Sequence, residues 1–285
     1  MITHKEILEH SRKYGIRAAT IDKDWILGHF LNAFYSFEEV GKLFVFKGGT
    51  CIKKCYIEDY RFSEDLDFTL LDKNFIVNKQ FINSVIKKAE ENSGAKFYLS
   101  DEIKNQKSED VLQGYEVAIK YWGADHQPNQ RPLPAARWQT KIKLDISFSE
   151  KLILEPVPKK ILHVYSDSNV ISSFLTVYNY SEIVSEKIRS LVQRNRPRDI
   201  YDNWYFSRTV DIKEYPEIKR LLYEKAKLKG IYIENIGQFV NGNKERKNKR
   251  AWQSNLQHLV GLDKLPGFDE AYSALHTFIE NILNS

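Results

Sequence analysis

The sequence predicts an α/β domain followed by an all-helical one, and three observations carry that expectation. Residues 44–68 read as a strand, a tight turn, a short helix and a second strand. Further runs at 96–103, 115–124 and 137–148 are aromatic and β-branched with partial alternation, the pattern of strands. From about Tyr180 apolar residues recur at helical spacing, over 180–195, 198–208, 213–229 and 267–284 and less regularly around 248–260. Residues 150–175, with two prolines and no regular period, read as the crossover, so the division is placed between 1–165 and 166–285.

Composition sets outer limits. A chain of 285 residues with 42% hydrophobic and 28% charged content can bury a sizeable core in one large domain or two smaller ones. A net charge of +5 suits nucleotide or nucleic-acid partners without being diagnostic. Cys51 and Cys55 stand four apart with no second Cys/His pair at zinc spacing, which predicts a buried, reduced pair. Residues 1–15 lack the apolar core of a signal peptide, and no run approaches the roughly eighteen apolar residues of a membrane span. A cytoplasmic protein with no membrane partner is the expectation.

Residues 2–40 read as helical, with Thr3 as N-cap and Glu6 completing a capping box. Trp25, Ile26, His29, Phe30 and Phe34 fall near one face, which makes His29 a core histidine rather than a catalyst. Val45 and Phe46 end a short buried strand, Lys47 to Thr50 turn the chain, and Cys51 to Tyr60 can form a short helix. The next strand carries Asp65 and Asp67. Residues two apart in a strand share a face, so these carboxylates project together while Leu66 and Phe68 enter the core. Paired carboxylates repel unless a cation lies between them, and an all-oxygen site favours a hard ion such as Mg²⁺. Gly48 and Gly49 place bare backbone at a helix N-terminus, where free N–H groups favour phosphate. A lone Gly-Gly is usually only a turn and a lone Asp-x-Asp a solvated strand end; their ordered combination is far more specific.

Residues 75–92 read as a helix ended by Ser93-Gly94, and the Pro-rich loop 123–137 as a lid or binding surface. In the run 141–148, Ile142, Leu144, Ile146 and Phe148 share one face, and Lys141, Lys143, Asp145 and Ser147 the other. Lys187 falls within the apolar stripe of Ile183, Val184, Ile188 and Leu191, where it either snorkels to water or meets a phosphate. Pro197 suits the first position of the next helix, and Asp199 in its first turn is accounted for by the helix dipole. Asp202, among Tyr201, Trp204, Tyr205 and Phe206, needs a cationic partner such as Lys187 or a nearby arginine. The basic run 241–252 reads as a solvated loop or an RNA-backbone contact, with Trp252 packed on a helix or stacked on a base.

The pattern hydrophobic-Gly-Gly, spacer, Asp-hydrophobic-Asp-hydrophobic resembles the signature of the polymerase-β-type nucleotidyltransferase superfamily, with a slightly long spacer at 50–64. Lys47-Gly48-Gly49-Thr50, Arg61 to Phe68, Glu186-Lys187 and Arg198-Asp199-x-x-Asp202 together are similar to the AbiEii/AbiGii toxin family, which includes the MenT toxins. The resemblance covers 44–68, 141–148 and 183–206. It implies a polymerase-β-like mixed sheet with flanking helices, followed by a helical domain, with an NTP in the cleft between. It further implies that Asp65, Asp67 and Asp145 hold Mg²⁺ or Mn²⁺, and that Lys47, Gly48, Gly49 and Ser63 contact phosphate. Lys187 would bind the triphosphate, and Asp202 would orient Lys187 or activate the attacking hydroxyl. The implied protein is a toxin that transfers NMP to an RNA acceptor, the tRNA 3′ end, and is opposed by a separately encoded antitoxin. A kinase-like phosphotransferase on the same fold and a nucleotide- or RNA-binding module without turnover are the alternatives.

Overall fold

A computed structural model describes residues 1–99, 102–109, 111–127 and 129–285. Ser100 and Asp101 of the expected strand 96–103, and Pro128 of the loop 123–137, lie outside the described residues. The chain divides into two compact units, Met1–Glu150 with Pro156–Tyr178, and Lys151–Glu155 with Asn179–Ser285. Among the described residues no helix is long and apolar enough to cross a membrane.

The first unit opens with α1 (His4–Tyr14), α2 (Ala18–Phe34) and α3 (Glu38–Leu43). Thr3 caps α1 by accepting from the Glu6 backbone N–H, but the expected capping box does not close, because the Glu6 carboxylate accepts instead from the Ser166 backbone N–H and hydroxyl. There follow β1 (Phe44–Lys47), the single turn α4 (Gly48–Cys51), a π-helical turn at Ile52–Tyr56, β2 (Asp65–Leu70) and α5 (Lys79–Ser93). The strands β3 (Lys96–Leu99), β4 (Lys104–Ser108), β5 (Val111–Trp122), β6 (Lys141–Ser147), β7 (Val157–Lys160) and β8 (Phe174–Val177) complete it. The sheet runs β3-β5-β6-β2-β1-β8-β7, with β4 also paired to β5. Pairs β2·β6 and β1·β8 are parallel and the others antiparallel, so the sheet is mixed.

Residues 150–175, read from sequence as a crossover, instead supply β7 and the first half of β8. Residue 165, after which the sequence reading divides the chain, therefore lies inside the first unit, because β8 pairs with β1 through Phe46 and Val177. One face of the sheet is apolar. Leu66, Phe68, Val117, Ile119, Ile142, Leu144 and Ile146 are all fully buried. Phe34 of α2 packs on Phe44 and Phe68 at centroid distances of 5.1 and 5.0 Å, and Phe81 of α5 packs beside them. Burying each such side chain contributes roughly 1.5–3 kcal/mol, so this face anchors the strands whose other side is polar.

Several charged and polar groups in that core are paired. Lys54 Nζ donates to Asp24 Oδ2 at 2.6 Å, and the Tyr165 hydroxyl donates to the same oxygen at 2.9 Å. His29 is fully buried with Nε2 3.0 Å from Asp167, the core histidine its apolar face implies. Cys51 and Cys55 are both buried and free.

The second unit is helical: α6 (Tyr180–Gln193), α7 (Pro197–Thr209), α8 (Tyr215–Leu228), α9 (Gly242–Leu256) and α10 (Phe268–Asn284). Glu182, fully buried on α6, explains why 151–155 belongs here. Its carboxylate accepts from the backbone N–H groups of Ile153 and Leu154 at 3.0 and 2.9 Å and pairs with Lys225 at 2.6 Å. The basic run expected as a loop is a helix, α9, capped by Asn241 accepting from the Lys244 N–H. Asn248, Trp252 and Leu256 recur every four residues on its buried side. Trp252 packs on Phe268 and donates to the Pro266 carbonyl at 2.9 Å, which is the packing role and not a base stack.

Two outcomes follow from the buried charges. Lys225→Met strands Glu182, so it should lower unfolding free energy by about 3–5 kcal/mol in denaturant titration; a change below 1 kcal/mol, taking ~1 kcal/mol as an ordinary substitution, would contradict the pairing. Asp22, 2% exposed, has its carboxyl pushed up to about 7 by burial, with Asp125 adding to the rise and the Ala124 N–H opposing it. Its folded value lies above the unfolded one, so this carboxyl's contribution to stability is full below about pH 4 and is lost as pH rises to about 7. Asp22→Asn should flatten that fall in a pH series of melts.

Candidate active site

The turn after β1 is shaped by the carboxylate above it. Gly48 has φ +79°, and a Cβ there would lie 2.1 Å from Asp67 Oδ2. Asp67 thus occupies the space a side chain would take. A Cβ on Gly49 would meet Ser63 Oγ at 3.0 Å and Arg61 Nη2 at 3.2 Å, which brings the residues before β2 against the same turn. Thr50 Oγ1 closes the arrangement by donating to the Asp65 carbonyl. The helix expected over Cys51 to Tyr60 begins earlier, at Gly48, and ends in the π turn at Tyr56. Shifting the start to Gly48 keeps the bare backbone of both glycines facing the strand ends.

Register then aligns the charges. Asp67 lies opposite Lys47 on β1 and opposite Asp145 on β6, and Asp145 lies opposite Glu116 on β5. Opposed residues of paired strands share a face. Lys47, Asp67, Asp145 and Glu116 therefore form one row across four strands, with Asp65 two residues back along β2 on the same face, opposite Lys143. Asp145 has its carboxyl raised, first by burial and then by the charges of Glu116 and Asp65, while Gln106 and Lys47 oppose the rise. Gln106 Nε2 lies 3.4 Å from Asp145 Oδ1, and Lys104 Nζ lies 3.3 Å from Glu116. Sequence reasoning missed Glu116 and Gln106. Glu116 sits in the polar phase of a readable strand, but only register puts it beside Asp145.

Asp65, Asp67 and Asp145 fit a hard divalent cation by donor chemistry: all-oxygen ligands, crowded enough that Asp145 on β6 resists ionisation. Among the described residues, the cluster whose potential ligand atoms lie within 4.8 Å of one another is a different one, His29, His163 and Asp167. That cluster closes through hydrogen bonds. Nε2 of each ring is 3.0 Å from Asp167, and Trp25 Nε1 donates to the same carboxylate at 3.0 Å. Against the cost of burial, these bonds hold Asp167 well below the usual carboxylate range. The buried Nδ1 atoms of both rings lack a partner, so a ring ligating through Nε2 would carry an N–H with no acceptor.

In the second unit, Lys187 Nζ donates to Asp202 Oδ2 at 2.9 Å. The Asp202 side chain is 0% and that of Lys187 12% exposed, so the lysine turns to its aspartate instead of snorkelling outward. Asp199 is separately engaged. It accepts from Arg194 Nε and Nη2 at 2.8–3.2 Å and from the Arg196 backbone N–H at 3.0 Å, closing the capping box of α7. The two aspartates are thereby distinguished, Asp199 as a cap and Asp202 as the ion-pair partner of Lys187.

The turn makes a stability contrast measurable. Gly48→Ala places a side chain at positive φ against Asp67 and should cost at least about 1–2 kcal/mol. Gly41→Ala in α3, with open space around it, should instead gain about 0.5–1 kcal/mol. Equal effects in denaturant unfolding would contradict the account of the turn.

A family model described as "Nucleotidyl transferase AbiEii toxin, Type IV TA system" matches residues 29–274. Among solved structures the chain is similar to MenT4, a nucleotidyltransferase toxin from Mycobacterium tuberculosis H37Rv. The identity is 15% and the TM-score 0.67, over 100% of this chain and 91% of that one, a likeness of fold. A search of curated protein sequences found no match. With the family match spanning most of the chain, and the Gly-Gly turn, the aspartate pair and the lysine–aspartate pair all in place, this protein belongs to the AbiEii family of nucleotidyltransferase toxins of type IV toxin–antitoxin systems.

Proposed function

We propose that this enzyme transfers NMP from an NTP to an RNA hydroxyl, with the tRNA 3′ end as acceptor, in a reaction that depends on Mg²⁺ or Mn²⁺. The observation that supports this most is the row of Asp67 and Asp145 on adjacent strands with Asp65 beside it. These three would hold the cation, which supplies charge neutralisation at the phosphates and a lowered pKa for the attacking hydroxyl.

The remaining roles belong to the chain's own groups. Lys47, at the end of the row, and the backbone of Gly48 and Gly49 would bind phosphate, with Ser63 beside Gly49 as a hydroxyl donor. Lys187 would meet the triphosphate as a point charge. Asp202 would orient Lys187 or activate the attacking hydroxyl, its carboxylate already accepting from the ammonium. In the transfer, the acceptor oxygen attacks the α-phosphorus and loses its proton, the bond to the bridging oxygen breaks, and pyrophosphate leaves. The antitoxin partner follows from the family, and the reading puts the reaction in the cytoplasm, with its NTP and tRNA.

Purified enzyme should label a tRNA-sized band from one α-labelled NTP in the presence of total RNA and Mg²⁺. Asp65→Ala should reduce labelling by about a hundredfold or more, from the loss of several kcal/mol of charge stabilisation. Lys88→Ala, exposed on α5, should leave it unchanged. Label appearing from γ- and not α-phosphate would overturn nucleotidyl transfer in favour of a kinase-like reaction; label on protein alone would overturn RNA as acceptor.

A further inference from the structure

The strongly basic helix α9 is not used by any step above. Over residues 242–253 it carries Lys244, Arg246, Lys247, Lys249 and Arg250 against the single acid Glu245. Its charges are sorted by face. Asn248, Trp252 and Leu256 are buried, Lys249 pairs with Asp269 at 2.7 Å, and Arg246, Lys247 and Arg250 are exposed on the opposite arc. Among the described residues these last three have no acidic partner, although Arg246 bonds locally to Asn243 and Gly242.

The strip is also held in a fixed place within its unit. Asn248 Nδ2 donates to the Asn195 carbonyl at 3.1 Å and to its side-chain oxygen at 2.8 Å, and Asn195 donates in turn to the Phe239 carbonyl at 2.6 Å. Asn195 sits at positive φ in the turn that joins α6, the helix of Lys187, to α7, the helix of Asp202. A contact made along α9 is therefore tied through one turn to the Lys187–Asp202 pair.

Two features decide what kind of partner fits. No exposed large apolar side chain lies on α9, so a protein partner would find no anchor of the kind that carries most protein interfaces. On the connector leading to α9, Tyr232 is 77% exposed while its main chain is held, its carbonyl accepting from Gln238 Nε2 at 2.9 Å. An exposed ring on the segment that leads into a helix of cations without acidic partners suits a nucleobase and its phosphates.

We propose that the exposed arc of α9, Arg246, Lys247 and Arg250, together with Tyr232, is the docking surface for an unpaired single strand of RNA. Phosphates lie along the three cations and a base stacks on Tyr232. The inference rests on the nucleotidyl-transfer reading only for calling that strand the acceptor; the surface itself is read from binding without turnover.

The test is fluorescence anisotropy of full-length protein with a labelled RNA stem-loop bearing a single-stranded 3′ overhang, without NTP, over a series of KCl concentrations. Neutralising the strip with Arg246→Gln, Lys247→Gln and Arg250→Gln should reduce the slope of log affinity on log salt by about two, at roughly 0.7 per lost phosphate contact on a single strand. Tyr232→Ala should weaken binding about five- to a hundredfold and leave the slope unchanged. Matching melting temperatures verify that both variants are folded. Unchanged affinity and slope in the neutralised variant overturn the proposal. So does binding of poly-glutamate as tight as RNA and lost equally, which would assign the strip to an acidic protein. Failure of NMP labelling with these binding differences intact would sink the transfer reading and leave the surface standing.

Discussion

Like charge brought together on purpose is the constraint to which the first unit is built. Opposed positions on paired strands place side chains about 4.5–5.5 Å apart, close enough for like charges to destabilise the pair. Asp67, Asp145 and Glu116 occupy three such positions in succession. The row is bounded by lysines, with Lys47 at one end and Lys104 reaching Glu116 at the other. What holds the strands in register despite this repulsion is the opposite face, where Leu66, Phe68, Leu144 and Ile146 are sealed from water beneath α2 and α5. The period of two that separates the faces lets one strand serve both a core and a charged site.

The second unit handles charge by burial in pairs. Glu182 with Lys225 and Asp202 with Lys187 each place a fully buried carboxylate on a lysine within 2.9 Å. Such pairs add little net stability over apolar replacements but are costly to break, which makes them fixed points of geometry. The difference between them lies in the lysine. Lys225 is 1% exposed and also serves the Lys151 carbonyl and Glu186, a closed structural knot, whereas the side chain of Lys187 keeps 12% exposure. Surface pairs such as Arg220 with Glu217 and Glu224 belong to a weaker class, about 0–1 kcal/mol.

Much of this was readable in the residues because local physics decided it. The alternation around Asp65 and Asp67, the helix entry at Pro197 with Asp199 in its first turn, and the pairing demanded by Asp202 depend on neighbours in sequence. What could not be read depends on partners far away. The alignment of Asp145 with Asp67 is a matter of register, and Glu116 becomes part of the row only through it. The strand β4 has a wholly polar sequence, Lys104 to Ser108, and exists because β5 supplies its hydrogen bonds. The segment feeding β7 and β8 shows no period because its strands are four residues long and each depends on the existing sheet. In α9 the density of basic residues hid Asn248, Trp252 and Leu256, three inward positions that suffice to seat a helix.

The claim on which the rest turns is that Asp65, Asp67 and Asp145 form one divalent-cation site. Electron paramagnetic resonance of free Mn²⁺ during titration with the protein tests it without turnover. The account predicts Mn²⁺ uptake that is lost in both Asp67→Asn and Asp145→Asn and retained in His29→Gln. Uptake indifferent to the two aspartates but abolished by His29→Gln would contradict it, and would move the metal to the histidine cluster.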